Sequence, residues 1–167
     1  MSGAFNPARR QLLRGDVGGR QLPLRAPWSL PEAAFVAACS RCERCIAACP
    51  QGILVVGSGG FPEVDFQRGE CTFCGDCARA CPDAAFRPTT ESPWQLQLRI
   101  ADSCVARRQV VCRSCGESCE REAIRFPPRL NRSAEPLLDP TACNGCGACV
   151  AVCPTQAISL VPDPQEA

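Results

Sequence analysis

Cysteine is the residue type in this chain with the greatest capacity for chemistry, because sixteen cysteines occur among 167 residues. Three runs share the pattern C-x2-C-x2-C-x3-C-P, and they span residues 39–50, 71–82 and 143–154. Three closely spaced thiolates in one tight loop can bind three irons of one [4Fe–4S] cluster, and a fourth cysteine completes the ligand set. The proline fixes φ and lacks a backbone donor, so it turns the chain away. The pattern predicts iron–sulfur sites.

A fourth set of cysteines departs from this pattern. Cys112, Cys115 and Cys119 keep its C-x2-C-x3-C half, but the first cysteine lies upstream at Cys104 and Glu120 replaces the proline. Every set is followed by a small residue and a large apolar one, at 52–53, 85–86, 123–124 and 157–158. This shared tail indicates a true repeat with an insertion, and sixteen cysteines then form four sets of four.

The sequence therefore predicts four [4Fe–4S] clusters as cofactors. Their ligands, set by set, are Cys39, Cys42, Cys45, Cys49; Cys71, Cys74, Cys77, Cys81; Cys104, Cys112, Cys115, Cys119; and Cys143, Cys146, Cys149, Cys153. A zinc-binding structural module is the remote alternative, but zinc ribbons use two separated C-x2-C pairs rather than a triplet. A disulfide scaffold fits less well still, because this spacing gathers thiols at one point instead of stapling distant segments.

The composition leaves little for other chemistry. The chain has no His, Lys or Tyr, so general acid–base catalysis would fall to carboxylates. It also lacks a P-loop and a G-x-G-x-x-G sequence, which argues against a kinase or a nucleotide enzyme. We therefore predict a protein without substrate chemistry of its own. The formal charge of +1 becomes roughly −7 if four clusters with their thiolates add about −2 each.

The elements predicted around the cysteines are short. The local pattern favours a helix at 31–38, strands at 53–56, 61–66 and 94–100, and a helical turn between the third and fourth cysteines of each set. Aromatic residues make up only 5% of the chain, so metal binding must supply much of the folding free energy. We predict a small, irregular α+β fold. It consists of two tandem bacterial-ferredoxin-like modules, each with two hairpins, two small helices and two clusters.

The predicted boundaries are an Arg-rich arm at 1–30, a first two-cluster module at 31–87, a linker at 88–99, a second two-cluster module at 100–161 and a tail at 162–167. Within the arm, Arg9, Arg10 and Arg14 lie in a run that looks like a twin-arginine export motif. The apolar segment of an export signal does not follow it. The arm is therefore either a disordered basic tail or a docking segment for an acidic or redox partner. We expect no membrane insertion and no nucleic-acid binding.

Two ligation schemes are compatible with these sets. In two-cluster ferredoxins the fourth cysteine of each run binds the cluster of the other run. Applied here, this rule exchanges Cys49 with Cys81 in the first half and Cys119 with Cys153 in the second. A sequential scheme, in which each run holds its own cluster, is the less favoured alternative. Crossed ligation would lock two runs into one pseudo-two-fold unit with its clusters close together.

As a whole, the chain resembles the NapF-type ferredoxins of periplasmic nitrate reductase systems. The resemblance is carried by the early R-R-x-L-L-R-G and P-L-R-x-P-W segments, by the order of the four cysteine sets, and above all by the displaced set from Cys104 to Glu120. It implies four [4Fe–4S] clusters and a cytoplasmic location despite the twin-arginine-like start. It also implies an accessory role towards the molybdenum-containing catalytic subunit.

Two functions are compatible with these observations. The resemblance favours a maturation factor, which would help assemble or keep reduced the iron–sulfur centre of the catalytic subunit's precursor before export. The cluster count favours an electron relay that passes single electrons to a redox partner. We expect the maturation role, with the relay as the alternative.

Overall fold

The computed structural model describes residues 23–162 as short helices and small sheets joined by turns. Its α-helices are α1 (Glu32–Ala38), α2 (Arg44–Ala47), α3 (Asp76–Arg79), α4 (Ser114–Glu117) and α5 (Ala148–Ala151). Its strands are β1 (Leu54–Val56), β2 (Pro62–Val64), β3 (Leu96–Ile100), β4 (Ile124–Arg125), β5 (Leu137–Leu138) and β6 (Ile158–Pro162). Two 3-10 helices, Ser58–Gly60 and Val105–Arg108, lie in the connections. This small, irregular mixture agrees with the predicted α+β class.

Four of the helices are single turns that belong to the cysteine sets. Each of α2 to α5 contains the third cysteine of its set, so the predicted helical turn begins earlier than the interval between the third and fourth cysteines. Three of these helices follow a residue in the left-handed conformation: Glu43 (φ 61°), Gly75 (φ 77°) and Gly147 (φ 86°). One such residue turns the chain sharply, which keeps the second and third cysteines of a run close together.

The sheets in the described part of the chain are all two-stranded and antiparallel. β1 pairs with β2 and β4 with β5, which gives one hairpin in each half. The third sheet pairs β3 with β6, in a register that runs from Leu96 opposite Pro162 to Ile100 opposite Ile158. The prediction of two hairpins per half is therefore wrong. The β3–β6 sheet instead joins the two strands that flank the whole second half.

In the first half, this flanking pairing is reduced to a single bridge between Ser29 and Phe86. Pro27, Pro31 and Pro88 surround the bridge. Proline cannot donate a backbone hydrogen bond, so a longer ladder cannot form there. The β3–β6 ladder has proline only at its last position, and it extends over five residue pairs.

Two segment boundaries that were predicted from the sequence differ from those in the structure. The alternation from Trp94 to Ile100 does form a strand, so the connection predicted at 88–99 ends where β3 begins at Leu96. Pro162, predicted as the start of the tail, is instead the last residue of β6. Residues 163–167 lie outside the described part. The helix predicted at 31–38 and the first pair of strands are confirmed as α1, β1 and β2.

The apolar core is built around the cysteines. The third cysteine of every set is buried, with exposed fractions of 7–8% at Cys45, Cys77, Cys115 and Cys149. The residue pairs that follow the sets pack beside them, and Ala85, Ala123 and Ala157 are among the most buried residues of the fold. The shared tail of the repeats is thus a packing element, since it places small and large apolar side chains against the thiols.

Arg25, which the prediction includes in the arm at 1–30, is packed into this fold. Its guanidinium donates to both carboxylate oxygens of Glu32 at 2.7 and 2.8 Å and to the carbonyl of Pro62 at 3.0 Å. It also lies over the rings of Phe35 and Phe61, 5.2 and 5.5 Å from their centroids. Only 9% of its side chain is exposed. A cation enclosed in this way is satisfied internally, so the predicted arm ends before Arg25.

Candidate metal centres

Site 1 combines three cysteines of the first run with the last cysteine of the second. Cys39, Cys42, Cys45 and Cys81 line one cavity beside α2. Burial raises the pKa of the Cys45 thiol to about 11, and the neighbouring thiolates of Cys39 and Cys81 act in the same direction. Cys81, rather than Cys49 of the same run, therefore completes this group of four thiols.

Site 2 is the reciprocal arrangement. Cys49, Cys71, Cys74 and Cys77 line a second cavity, which lies beside α3. Burial raises the pKa of the Cys71 thiol to about 11, and the thiolates of Cys49 and Cys74 contribute to that rise. Burial likewise raises the pKa of Cys77 to about 12, with Cys71 and Cys74 nearby. The two runs of the first half thus exchange their last cysteines.

Site 4 brings the fourth run together with the last cysteine of the altered set. Burial raises the pKa of the Cys149 thiol to about 12, and the thiolates of Cys146, Cys143, Cys115 and Cys119 act in the same direction. Burial also raises the pKa of Cys146, again with Cys119 and Cys143 close by. Cys119 therefore leaves its own set and faces the three cysteines of the fourth run.

Site 3 is assembled by the altered set in spite of its insertion. Burial raises the pKa of the Cys115 thiol to about 11, and the thiolates of Cys104, Cys112 and Cys153 contribute. The inserted residues form the 3-10 helix after Cys104, which ends at Gln109 in the left-handed conformation (φ 65°). The insertion is therefore a local turn, and it leaves Cys104 close to the other three thiols.

Backbone amides point at some of these sulfurs. The N–H groups of Arg41 and Phe73 donate to the Sγ atoms of Cys39 and Cys71, each at 3.4 Å. Both donors have a positive φ (62° and 55°), as does Gly145 (φ 76°) at the same position of the fourth run. Hydrogen bonds to sulfur favour the thiolate, which is the form that binds iron. Sequence reasoning missed these donors, because a backbone amide has no residue-type signal.

Each of the four groups of thiols has the donor set of a [4Fe–4S] cluster. Four thiolates around one zinc stand roughly 4 Å apart, as a consequence of the tetrahedral geometry and Zn–S bonds of about 2.3 Å. Between residues 23 and 162, no three Cys, Asp or Glu side chains lie close enough to hold one ion. In a [4Fe–4S] cluster each thiolate binds a different iron, so the sulfurs are spaced more widely. Four thiolates are the donor set that such a cluster requires.

The structure gathers all sixteen predicted cysteines into these four sites. The other predicted site residues, Arg9, Arg10 and Arg14, lie outside the described residues. None of the helices that the structure describes is long and apolar enough to cross a bilayer.

Comparison with known proteins gives a consistent result. A family model described as a 4Fe-4S dicluster domain matches residues 38–85 and 110–157. Each matched segment contains one pair of runs, and the displaced Cys104 lies just outside the second. The chain is 45% identical over 155 residues to the ferredoxin-type protein NapF of Escherichia coli K12, which covers 93% of this chain and 94% of the relative.

Two further relatives extend this result. The ferredoxin-type protein NapF of Haemophilus influenzae is 42% identical over 165 residues, with 93% of this chain and 94% of the relative covered. The methylamine utilization ferredoxin-type protein MauM of Methylophilus methylotrophus is 33% identical over 159 residues, with 83% and 70% covered. The relatives therefore match nearly the full length of the chain and not the cysteine runs alone.

Proposed function

The chain belongs to the family of ferredoxin-type NapF proteins, and we propose that it is an iron–sulfur accessory protein of nitrate reduction. Its role is to help mature the catalytic subunit of periplasmic nitrate reductase in the cytoplasm, before export. The observation that supports an accessory role is the 45% identity to a NapF protein over 93% of the chain, and site 3 keeps a full group of four thiols. Cys104 lies beside Cys115 despite the insertion that distinguishes this set from an ordinary ferredoxin run.

The ligand assignment follows the four sites. We assign Cys39, Cys42, Cys45 and Cys81 to site 1; Cys71, Cys74, Cys77 and Cys49 to site 2; Cys104, Cys112, Cys115 and Cys153 to site 3; and Cys143, Cys146, Cys149 and Cys119 to site 4. When bound, [4Fe–4S] clusters supply one-electron transfer. The chain's own contribution is to hold the thiols in place, to donate amide hydrogen bonds to sulfur and to bury the third cysteine of each set.

An electron relay is the second candidate, and the proximity of the sites favours it. The buried cysteines Cys45 and Cys77 lie in one apolar cluster, so sites 1 and 2 are neighbours. Cys115 and Cys149 likewise share a cluster, which makes sites 3 and 4 neighbours. Centres this close can exchange electrons. A relay would use the same ligands as a maturation factor, so an experiment on the target enzyme must separate the two.

That experiment uses cells that lack this protein. Their mature periplasmic nitrate reductase is isolated, assayed with an artificial reductant that bypasses natural electron donors, and analysed for iron. We expect low activity together with low iron, because an enzyme that was matured without its accessory protein is built incompletely. Full activity and full iron would contradict maturation and leave the relay as the better account. Cells that carry the gene again on a plasmid provide the control.

The N-terminal arginines give a more specific prediction about docking. Replacing Arg9, Arg10 and Arg14 with glutamine should weaken binding to the precursor of the catalytic subunit by about tenfold, since exposed charge pairs contribute roughly 0.2–1 kcal/mol each. Arg25 is kept, because it holds α1 and β2 together. Affinity is measured with purified proteins at low and physiological salt, and the difference should shrink as salt screens the charges.

A matched control removes the same charge from another surface. Arg68, Arg99 and Arg121 are exposed, and their replacement with glutamine lowers the net charge equally. This control should bind like the wild type. Equal affinities for both triple variants would remove the docking role from the arm.

A further inference from the structure

The two halves of the chain meet between the second and fourth cysteine runs. The backbone N–H of Cys71 donates to the carbonyl of Cys146 at 2.8 Å, although the two residues belong to different family-matched segments. A direct backbone bond between two cluster-binding loops brings site 2 against site 4. The thiolate of Cys146 is close enough to contribute to the raised pKa of Cys71, which burial causes in the main.

Side chains from both halves close this junction. Phe66 of the first half packs edge-on against Trp94, with ring centroids 6.0 Å apart. The indole Nε1–H of Trp94 donates in turn to the carbonyl of Asn144 at 3.3 Å. Gly147 lies under the Phe66 ring so closely that an added Cβ would overlap it. The fourth run therefore has a packed surface on the first half.

The apolar clusters also connect neighbouring sites to one another. Cys49 packs both with the cluster that contains Cys45 and Cys77 and with the largest cluster, to which Cys71 also belongs. That largest cluster extends through the second half to Cys149 and to all the thiols assigned to site 3 except Cys112. Within each half, α2 packs on α3 and α4 on α5.

We propose that the four sites form one continuous line in the order site 1, site 2, site 4, site 3. The halves are joined through Cys71 and Cys146, and sites 1 and 3 are the two ends. This inference rests on the ligand assignment of the proposed function and adds an electron-transfer path between the sites. One electron accepted at one end from a one-electron donor would leave at the other end to a one-electron acceptor, with sites 2 and 4 as obligatory intermediates.

The two ends differ in their surroundings. At site 1, Cys42 is exposed beside Arg41, whose guanidinium lies 5.4 Å from the centroid of the Phe61 ring. At site 3, Cys112 lines an open groove of about 440 Å³ together with Val111, which is 82% exposed. The sequence order of the runs would have put site 4 at an end, so the fold and not the order along the chain determines which sites end the line.

The first test asks which pairs of clusters interact magnetically. The double variant Cys42→Ala, Cys112→Ala removes one ligand from each end site, so that only sites 2 and 4 hold clusters. The double variant Cys74→Ala, Cys146→Ala removes one ligand from each middle site, so that only sites 1 and 3 hold clusters. Iron analysis should find about eight irons per chain in each variant. After reduction with dithionite, we expect spin–spin splitting in the electron paramagnetic resonance spectrum of the first variant and two isolated signals in the second.

The outcomes separate the order from the assignment on which it rests. Isolated signals from loaded sites 2 and 4 would overturn the proposed order and leave the ligand assignment intact. Iron contents that do not follow the paired substitutions would overturn the assignment itself. Neither result depends on nitrate reductase, so failure of the maturation role would be seen separately.

A second test keeps all sixteen cysteines. Gly147→Ala forces Phe66 away from the fourth run, whereas Gly75→Ala at the same position of the second run meets only the flexible end of Arg79 at 3.0 Å and Thr89 at 3.4 Å. Both glycines have a positive φ, so the backbone strain is matched. We expect Gly147→Ala alone to weaken the interaction between sites 2 and 4 in the reduced, fully loaded protein. Identical spectra for the two variants would overturn the proposed junction.

Discussion

Removing the iron is expected to abolish the cooperative thermal unfolding transition of this protein. The one-turn helices and the strands of two to five residues are too short to be stable alone. Structural zinc sites in small domains, which also use cysteine ligands, contribute on the order of 10 kcal/mol. That is similar to the whole net stability of an ordinary domain, about 5–15 kcal/mol. Thermal scans by circular dichroism of the iron-loaded and iron-free protein measure the difference.

The thiols give a further reason for this expectation. Burial raises the pKa of Cys45 and Cys115 to about 11 and that of Cys77 and Cys149 to about 12. Without iron these thiols are protonated at neutral pH, and no metal–sulfur bonds join the runs that each site brings together. The iron-free sample must be kept reduced, so that disulfides do not replace the clusters. A sharp transition in that sample would contradict the prediction, and restoration by iron and sulfide is the control.

The second large effect is an iron count that distinguishes crossed from sequential ligation. If ligation is crossed, Cys39→Ala with Cys81→Ala removes two ligands of one cluster and leaves about twelve irons per chain. Cys39→Ala with Cys49→Ala removes one ligand from each of two clusters and leaves about eight irons. Sequential ligation reverses the two values. The count is made on protein reconstituted and purified without oxygen.

The second half offers an independent repeat of this test. Cys112→Ala with Cys153→Ala should leave about twelve irons, and Cys112→Ala with Cys119→Ala about eight. The two variants of each pair carry the same number of lost thiols, so each serves as the control for the other. Reversed counts would contradict crossed ligation. Equal counts would mean that clusters are lost together and that the four sites do not load independently.

Much of each site could be predicted from the chain alone. The spacing of Cys71, Cys74 and Cys77 is a local feature, because three ligands of one cluster must come from one tight loop. The same holds for the helical turn at the third cysteine of each set and for the apolar pair that follows the set. Even the altered set was identifiable, since Ala123 and Ile124 keep their positions after Cys119. Features that depend only on neighbouring residues can therefore be recognised in the sequence.

Other features could not be predicted, because they depend on residues that are distant in sequence. Arg25 falls within the Arg-rich arm predicted at 1–30, and only its position over the rings of Phe35 and Phe61 gives it a structural role. The β3–β6 ladder likewise includes Pro162, which reads locally as the start of a tail.

The sequence by itself thus determined the kind of site, the number of thiols and their grouping into runs. The tertiary structure decided which runs touch. The contact of Cys71 with Cys146, and of Phe66 with Gly147, is not encoded in any spacing. It arises because apolar surface of the two halves, with Phe66 against Gly147, is buried where they meet. That contact puts site 4 beside site 2 and leaves site 3 at the end.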